Sequence, residues 1–301
     1  MDIFSGTSFD FMGKRKIAFF ISGVLAFVGL IAAISVPLGK ANLGTDFAGG
    51  VMINFRFEQP VSIEEARGVL DKGGFTDAYI QEFAGANKLL IRVKRTEGTS
   101  GVSSNIGELF KKAMPGNPYT IELATEVGPT VGKKLQQDAL WAIAISLLGI
   151  LLYVAWRFET RFGIAAVAAT LHDVLAVLGI FWILNKEINL LIVTALLTLA
   201  GYSLTDTVVV FDRIRENLRK SIKDEFVPLI NKSINEVISR TIVTSGTVLL
   251  ATLALLLLGG EVLHDFSLAL FLGVIVGTYS SIFVASPLLL VWKKKGKLIK
   301  M

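Results

Sequence analysis

Residues 17–39 read IAFFISGVLAFVGLIAAISVPLG, a run without a charged side chain, and this stretch decides the fold. At about 1.5 Å of rise per residue, a helix of this length crosses a hydrocarbon core about 30 Å thick. Lys14, Arg15 and Lys16 precede it, as basic residues precede a secretory signal. The run is longer than a signal's apolar core and lacks a small-residue cleavage site, so it is expected to stay as a spanning helix.

The rest of the chain agrees with a bilayer as solvent. Of 301 residues, 52% are hydrophobic and 18% charged, and the mean hydropathy is +0.62. That is more apolar surface than a water-soluble domain of this length buries. The absence of cysteine excludes disulfides, thiolate metal sites and a cysteine nucleophile, and two histidines are too few for a histidine-rich metal centre. No cofactor and no metal are expected. The net charge of +5 does not call for nucleic acid, because membrane proteins gather Lys and Arg in cytoplasmic loops.

Five further apolar runs, at residues 139–156, 162–184, 188–211, 241–258 and 266–292, bring the expected spans to six. Basic residues mark one side: Lys14 to Lys16, Arg157 and Arg161, the stretch 213–240, and the tail with Lys293, Lys294, Lys295, Lys297 and Lys300. The opposite loops hold Lys186 and little else, so both termini are expected in the cytoplasm. The predicted division is a cytoplasmic segment 1–16, helix 17–39, a polar region 40–137, spans within 138–292 and a basic tail 293–301.

Region 40–137 has the period-two alternation of strands. Val51, Ile53, Phe55 and Phe57 share a face, followed by Ala78 and Ile80, then Leu89, Ile91 and Val93, then Tyr119, Ile121 and Leu123. Two helices interrupt them. The first opens on a capping box, Ser62 to Glu65, and stops at Gly73 and Gly74; the second covers about 105–114 and ends before Pro115. The order β-α-β-β-α-β is the ferredoxin-like motif, which argues for no function by itself. The fold class is therefore a polytopic α-helical membrane protein with six transmembrane helices and one extracytoplasmic ferredoxin-like α+β domain.

Function is sought where polarity is costly. An ionisable residue near the bilayer centre costs about 2.5–3.5 kcal/mol on insertion scales. Asp206, in the fourth span, and Asp173, midway through the third, meet that description. His172 and Asp173 are adjacent and point different ways on a helix, so they are not expected to form one site unaided. For Asp173 a polar packing role and a conducting role both stand. His264 and Asp265 repeat the dipeptide in an expected outer loop and receive no role. Gly273, Gly277 and Ser281, spaced by four, let another helix approach closely, as do Gly163, Ala166 and Ala169. The stretch 213–240, apolar at Ile214, Leu218, Ile222, Phe226, Leu229 and Ile230 amid basic residues, reads as a helix lying along the cytoplasmic interface and kinked at Pro228. Asp206 lies seven residues before Arg213, roughly 10 Å inside the cytoplasmic boundary. Arg240 reads either as an anchor at the interface or as a long side chain reaching that carboxylate.

Three segments carry a resemblance: Gly44-Thr45-Asp46-Phe47-Ala48-Gly49-Gly50, the run GYSLTDTVVVFDRIRE from Gly201 to Glu216, and Ser239-Arg240-Thr241-Ile242-Val243-Thr244-Ser245. Together they resemble the SecF family of protein-export membrane subunits, within the resistance-nodulation-division superfamily of proton-driven machines. The resemblance covers almost the whole chain; Ala48 stands where many relatives have Thr. It implies work with SecD and the SecYEG translocon on a translocating preprotein in the inner (plasma) membrane, with YajC as a further companion and protons as coupling ion. It places the functional transmembrane acid at Asp206 and the functional arginine at Arg240. Asp173, Ser203, Thr205 and Thr244 are carried as members of a polar track, and Gly44, Asp46, Gly49 and Gly50 as the motif that opens the external domain. The chain has no internal repeat of its spans, so the second six-helix half is expected from SecD.

In this reading a low-dielectric site favours a protonated Asp206, and an approaching Arg240 favours the anion. A charge crossing the membrane field yields about 2.3 kcal/mol per 100 mV, enough to bias a two-state element more than tenfold. No G-x-x-x-x-G-K-[ST] loop is present, so no nucleotide is implied. One rival is an intramembrane aspartyl protease, whose dyad needs carboxylates about 3 Å apart; counting along straight helices separates Asp173 and Asp206 by about 8 Å in height. Another is a structural assembly subunit with no proton path.

Overall fold

The computed structural model describes residues 8–76, 78–83, 87–93, 101–220, 225–294 and 297–298. Lys295 and Lys300 of the expected basic tail, and residues 221–224 of the basic stretch, lie outside them. The chain forms two compact units, Met1–Asn42 with Trp141–Met301, and Leu43–Leu140.

Helix α1 (Arg15–Ser35) leads to the smaller unit, which contains α2 (Thr45–Ala48), β1 (Gly50–Phe57), α3 (Ile63–Lys72), β2 (Tyr79–Phe83), β3 (Lys88–Val93), α4 (Val102–Ala113) and β4 (Tyr119–Val127). The strands pair antiparallel in the order β2-β3-β1-β4, the ferredoxin-like arrangement. The capping box is made: the Glu65 amide donates to Ser62 Oγ at 3.2 Å and the Ser62 amide to Glu65 Oε2 at 3.0 Å. Gly74 takes φ +84° after α3, a conformation that favours glycine. Ile53, Phe55, Leu70, Ile91, Ile106 and Phe110 are shut off from solvent. Each such side chain contributes about 1.5–3 kcal/mol through burial.

Strand β4 departs from the expected alternation. Ile121 is 43% exposed and Leu123 38%. The register slips between Asn54 and Phe55: Asn54 pairs with Leu123 while Phe55 pairs with Ile121. Glu122 is thus an extra residue, a bulge that turns Leu123 to the face opposite the core. Glu122 instead meets Arg56 at 2.5 Å and Lys88 at 2.9 Å.

The larger unit is a helical bundle. Its members are α1, α5 (Pro129–Arg157), α6 (Thr160–Ile183), α7 (Leu190–Lys220), α8 (Phe226–Leu258) and α9 (Gly260–Ser280). The last span runs on through a π turn at Ser281–Ala285. Among the described residues, six helices are long and apolar enough to cross a membrane. The apolar parts of α6, α7 and the last span are 61%, 50% and 56% buried, against 22% in α1 and 17% in α5 and α8, so the first three form the interior of the bundle and the others leave apolar faces for lipid or protein.

Three expectations change here. The stretch 213–240 is not one interfacial helix; it is the ends of α7 and α8, which pair side by side. Arg213 Nε donates to Glu236 Oε2 at 2.7 Å and Asn217 Nδ2 to Ser233 Oγ at 3.0 Å, over a seam with Ile214, Leu229 and Ile230 buried. Of the described residues that suggested a membrane-facing stripe, Ile214, Phe226, Leu229 and Ile230 are buried and Leu218 packs against them. Pro228 makes no kink, because it is the third residue of α8, where a missing N–H costs nothing. His264 and Asp265 lie in the first turns of α9 rather than in a loop, and Lys186 Nζ donates to Asp265 at 2.8 Å.

Small residues set the closest helix approaches. A Cβ built on Gly277 would lie 3.2 Å from Ser203 Cβ, and one on Gly273 would lie 2.7 Å from the Leu199 side chain, so α9 rides on α7. The tightest crossing is between Gly29 of α1 and Gly179 of α6. A Cβ on Gly29 would fall 2.0 Å from the Leu175 carbonyl oxygen, and one on Gly179 would fall 2.8 Å from the Gly29 nitrogen.

Candidate functional site

Helices α6, α7 and α9 meet along a seam rich in small and hydroxylated residues, and both intramembrane acids project into it. Asp173 is wholly buried and Asp206 is 5% exposed. A buried carboxyl group must be satisfied by hydrogen bonds or carry a proton. The neighbours of each acid show how this is arranged.

Asp173 draws on three side chains. Ser203 of α7 donates to Oδ2 at 2.5 Å, Ser280 of α9 donates to the same oxygen at 2.8 Å, and His172 Nδ1 lies 3.0 Å from Oδ1. Adjacent residues on α6 thus do form one site, because the imidazole folds back toward its neighbour. Three helices are joined through one carboxyl group. Gly277 makes this possible, since a larger residue there would displace Ser203.

Asp206 has a different set. Ser245 of α8 donates to Oδ2 at 3.1 Å, and Thr278 of α9 donates to Ser245 at 2.8 Å. The Tyr202 hydroxyl faces the same serine and threonine. Arg240 lies five residues before Ser245, with its side chain exposed, and acts on Asp206 through its charge. Among the described residues no ion pair joins the two. Arg213 is committed elsewhere, to Glu216 at 2.6 Å and Glu236 at 2.7 Å.

The two acids share no hydrogen-bond partner, unlike an aspartyl dyad. Ser203 and Asp206 are three apart on α7, neighbours on one helix face at about 5–6 Å between Cβ atoms. A third contact, Thr207 Oγ1 to Ser281 Oγ at 2.9 Å, sits where α9 widens into the π turn. Such turns recur at functional sites. Here the turn also precedes Pro287, and Ser286 Oγ donates to the Ser281 carbonyl at 2.8 Å.

Thr205 and Thr244 do not join this seam. Both are exposed and turn their hydroxyls back on their own helices, Thr205 to the Gly201 carbonyl at 3.1 Å and Thr244 to the Arg240 carbonyl at 3.0 Å. Ser203, of the same expected track, does join the seam as a donor to Asp173, and the other donors, Ser245 and Ser280, lie one residue from Thr244 and Ser281, which the sequence singled out. Period 3.6 on α8 would have set Ser245, not Thr244, in line with buried Thr241 and Ile238.

The motif Gly44-Thr45-Asp46-Phe47-Ala48-Gly49-Gly50 forms a packed elbow. Gly49 adopts φ +71° and leaves room for Pro129, whose Cα would be 2.9 Å from an added Cβ. Gln136 Nε2 donates to the Phe47 carbonyl at 2.9 Å. Asp46 occupies the first turn of α2, where a negative side chain is favoured.

Six apolar spans, a ferredoxin-like unit and carboxyl groups sealed among serines and threonines define a polytopic membrane protein of the transport class, with its polar residues held inside the bundle. Residues 107–295 match the model of the protein export membrane protein SecD/SecF C-terminal family, and residues 40–61 match the SecD/SecF GG motif. The chain belongs to the SecD/SecF family, as a SecF-type protein translocase subunit, a transport component rather than an enzyme. It is 53% identical to the protein translocase subunit SecF of Thermodesulfovibrio yellowstonii over 98% of both chains. It is 43% identical to that of Vibrio alginolyticus over 93% of this chain and 88% of the relative. The crystal structure of SecDF, a translocon-associated membrane protein from Thermus thermophilus, superposes with TM-score 0.85 at 37% identity, covering 95% of this chain and 39% of that one. A second SecDF structure, in a super-membrane-facing form, gives 0.67 over the same share.

Proposed function

We propose that this chain uses the proton motive force, together with SecD, to promote movement of a preprotein through the SecYEG translocon, with Asp206 and Arg240 as the coupling pair. It would sit in the inner membrane with both termini cytoplasmic and the ferredoxin-like domain outside. The observation that carries the reading is a carboxyl group 5% exposed within a span, given one hydroxyl donor, with an arginine near enough to act by charge and not in contact.

In low dielectric such a carboxyl group is most comfortable neutral, and an arginine moving onto it would favour release of its proton. The helix carrying Ser245 also carries Arg240, so a shift of α8 along α7 would alter both partners of Asp206 together. The two SecDF structures match this chain at the same identity but different TM-scores, which supports a family able to change arrangement. The chain spans 39% of that SecDF protein, and a partner half of SecD type would supply what remains.

The test is Asp206→Asn, assayed with SecD and SecYEG in proteoliposomes carrying an imposed proton gradient. Gradient-dependent movement of the preprotein should be lost while the complex still copurifies. Gradient-dependent movement equal to the unaltered protein would refute the coupling and leave a structural role.

A further inference from the structure

The pair His172–Asp173 holds a group that polar packing leaves unused. His172 is 6% exposed, and its Nε2 is buried with no hydrogen-bond partner. A single donor facing Asp173 would have been enough to complete that carboxylate, since Ser203 and Ser280 already supply Oδ2. The imidazole brings a second nitrogen into the bundle. When Nδ1–H donates to Asp173 Oδ1, Nε2 is the atom with the free lone pair.

We propose that His172 and Asp173 form a second proton-binding site of this chain, with His172 Nε2 taking up and releasing the proton and Asp173 stabilising the imidazolium. The step balances simply. A hydronium ion gives its proton to Nε2, so that one O–H bond breaks to leave water and one N–H bond forms; the pair passes from one net negative charge to a neutral imidazolium–carboxylate. A buried pair without net charge is favoured over a lone buried carboxylate, so the site is built to be loaded. The proton belongs to the pair as a coupled unit.

The surroundings leave this pair to itself electrostatically. The ionisable side chain in contact with Asp173 is His172, at 3.0 Å. From α7 the titratable residues at this depth are Tyr202 and Asp206, the latter bonded to Ser245 of α8. From α9 Tyr279 is present, its hydroxyl donating to the Ala18 carbonyl of α1 at 2.9 Å and accepting from Ser22 of the same helix at 3.1 Å. The charged residues of α1, Arg15 and Lys16, stand at its start. The proposal deepens the proton-coupled reading above and rests on it for its role in transport, though not for the binding itself.

The chain has two histidines, so His264→Gln leaves a single imidazole to observe. With full-length protein labelled with 15N-histidine in lipid nanodiscs, the His172 nitrogens should pass from neutral imidazole to imidazolium, with a single midpoint, as pH is lowered. Adding Asp173→Asn should move the midpoint down by about one unit or more, a tenfold loss of proton affinity. The double variant Ser203→Ala, Ser280→Ala keeps the carboxylate but strips its hydroxyl donors and should move the midpoint up. His172→Asn, which keeps a donor near the Nδ1 position and lacks Nε2, should reduce gradient-driven preprotein movement with assembly intact. An imidazole that stays in one neutral form throughout, or a midpoint unmoved by Asp173→Asn, overturns the proposal. Should Asp206→Asn leave driven movement unchanged while His172 titrates as described, the transport reading fails and the proton site stands.

Discussion

Gly29→Ala adds one methyl group to α1 at the point where that helix presses on α6. The added carbon would lie 2.0 Å from the Leu175 carbonyl oxygen and 2.4 Å from its carbon, where ordinary contact begins at 3.4 Å. Relief requires the two helices to separate by about 1.4 Å, the difference between those distances, and both obstacles are backbone that no rotamer change can move. Overpacking of this kind costs about 1–3 kcal/mol. Gly23→Ala on the same helix meets nothing within 4 Å, and it gains up to about 1 kcal/mol of helix propensity. The propensity gain is common to both variants, so Gly29→Ala should fall below Gly23→Ala by about 1–3 kcal/mol, read as unfolding midpoints in matched micelles by tryptophan fluorescence. Equal midpoints for Gly29→Ala and Gly23→Ala would show that α1 does not lie on α6 as described.

Ser245→Ala removes the donor to Asp206 and should cost about 1 kcal/mol of stability, with a change in gradient-driven movement that Thr244→Val, one residue away and exposed, does not produce. Equal effects from the two would mean that the hydroxyl beside Asp206 is not special. In the ferredoxin-like unit, the hydrogen bond from Lys88, and then the charge of Arg56, hold the Glu122 carboxyl below the ordinary glutamate value of 4.5. The folded state therefore binds this proton more weakly than the unfolded chain, so the contribution is complete above pH 4.5 and drains as pH falls through the depressed value. Glu122→Gln should flatten this part of the acid dependence of hydrogen exchange in the β1–β4 ladder, the more so at low salt, where exposed pairs are less screened. An unchanged acid dependence would refute it. Asn217→Leu should loosen the α7–α8 seam by about 1–3 kcal/mol, because Ser233 and Glu236 both lose a buried partner; faster hydrogen exchange in 213–220 and 226–236 would report it.

Several features were legible without coordinates because each depends on a local pattern. Six spans follow from apolar length, the capping box of Ser62 and Glu65 from residue spacing, and the βαββαβ order from a switch of period between two and 3.6. The acids drew attention because charge in an apolar run is costly whatever the fold. The fate of 213–240 was not legible, since an amphipathic stripe looks the same whether a membrane surface or another helix covers it.

The sequence by itself determined which helices span, what kind of α+β unit they carry, and that Asp173 and Asp206 needed company. Only the tertiary structure decided who keeps them company. Ser203, Ser280 and His172 gather at Asp173, and Ser245 and Thr278 at Asp206, from helices up to 107 residues apart in the chain. Hydroxyl side chains in a membrane helix can always turn back on their own carbonyls, as Thr205 and Thr244 do. Which of them turn outward to a carboxylate depends on the rotation and crossing of neighbouring helices, set here by glycines that let backbones touch. Those are long-range steric facts, and no spacing along one helix encodes them.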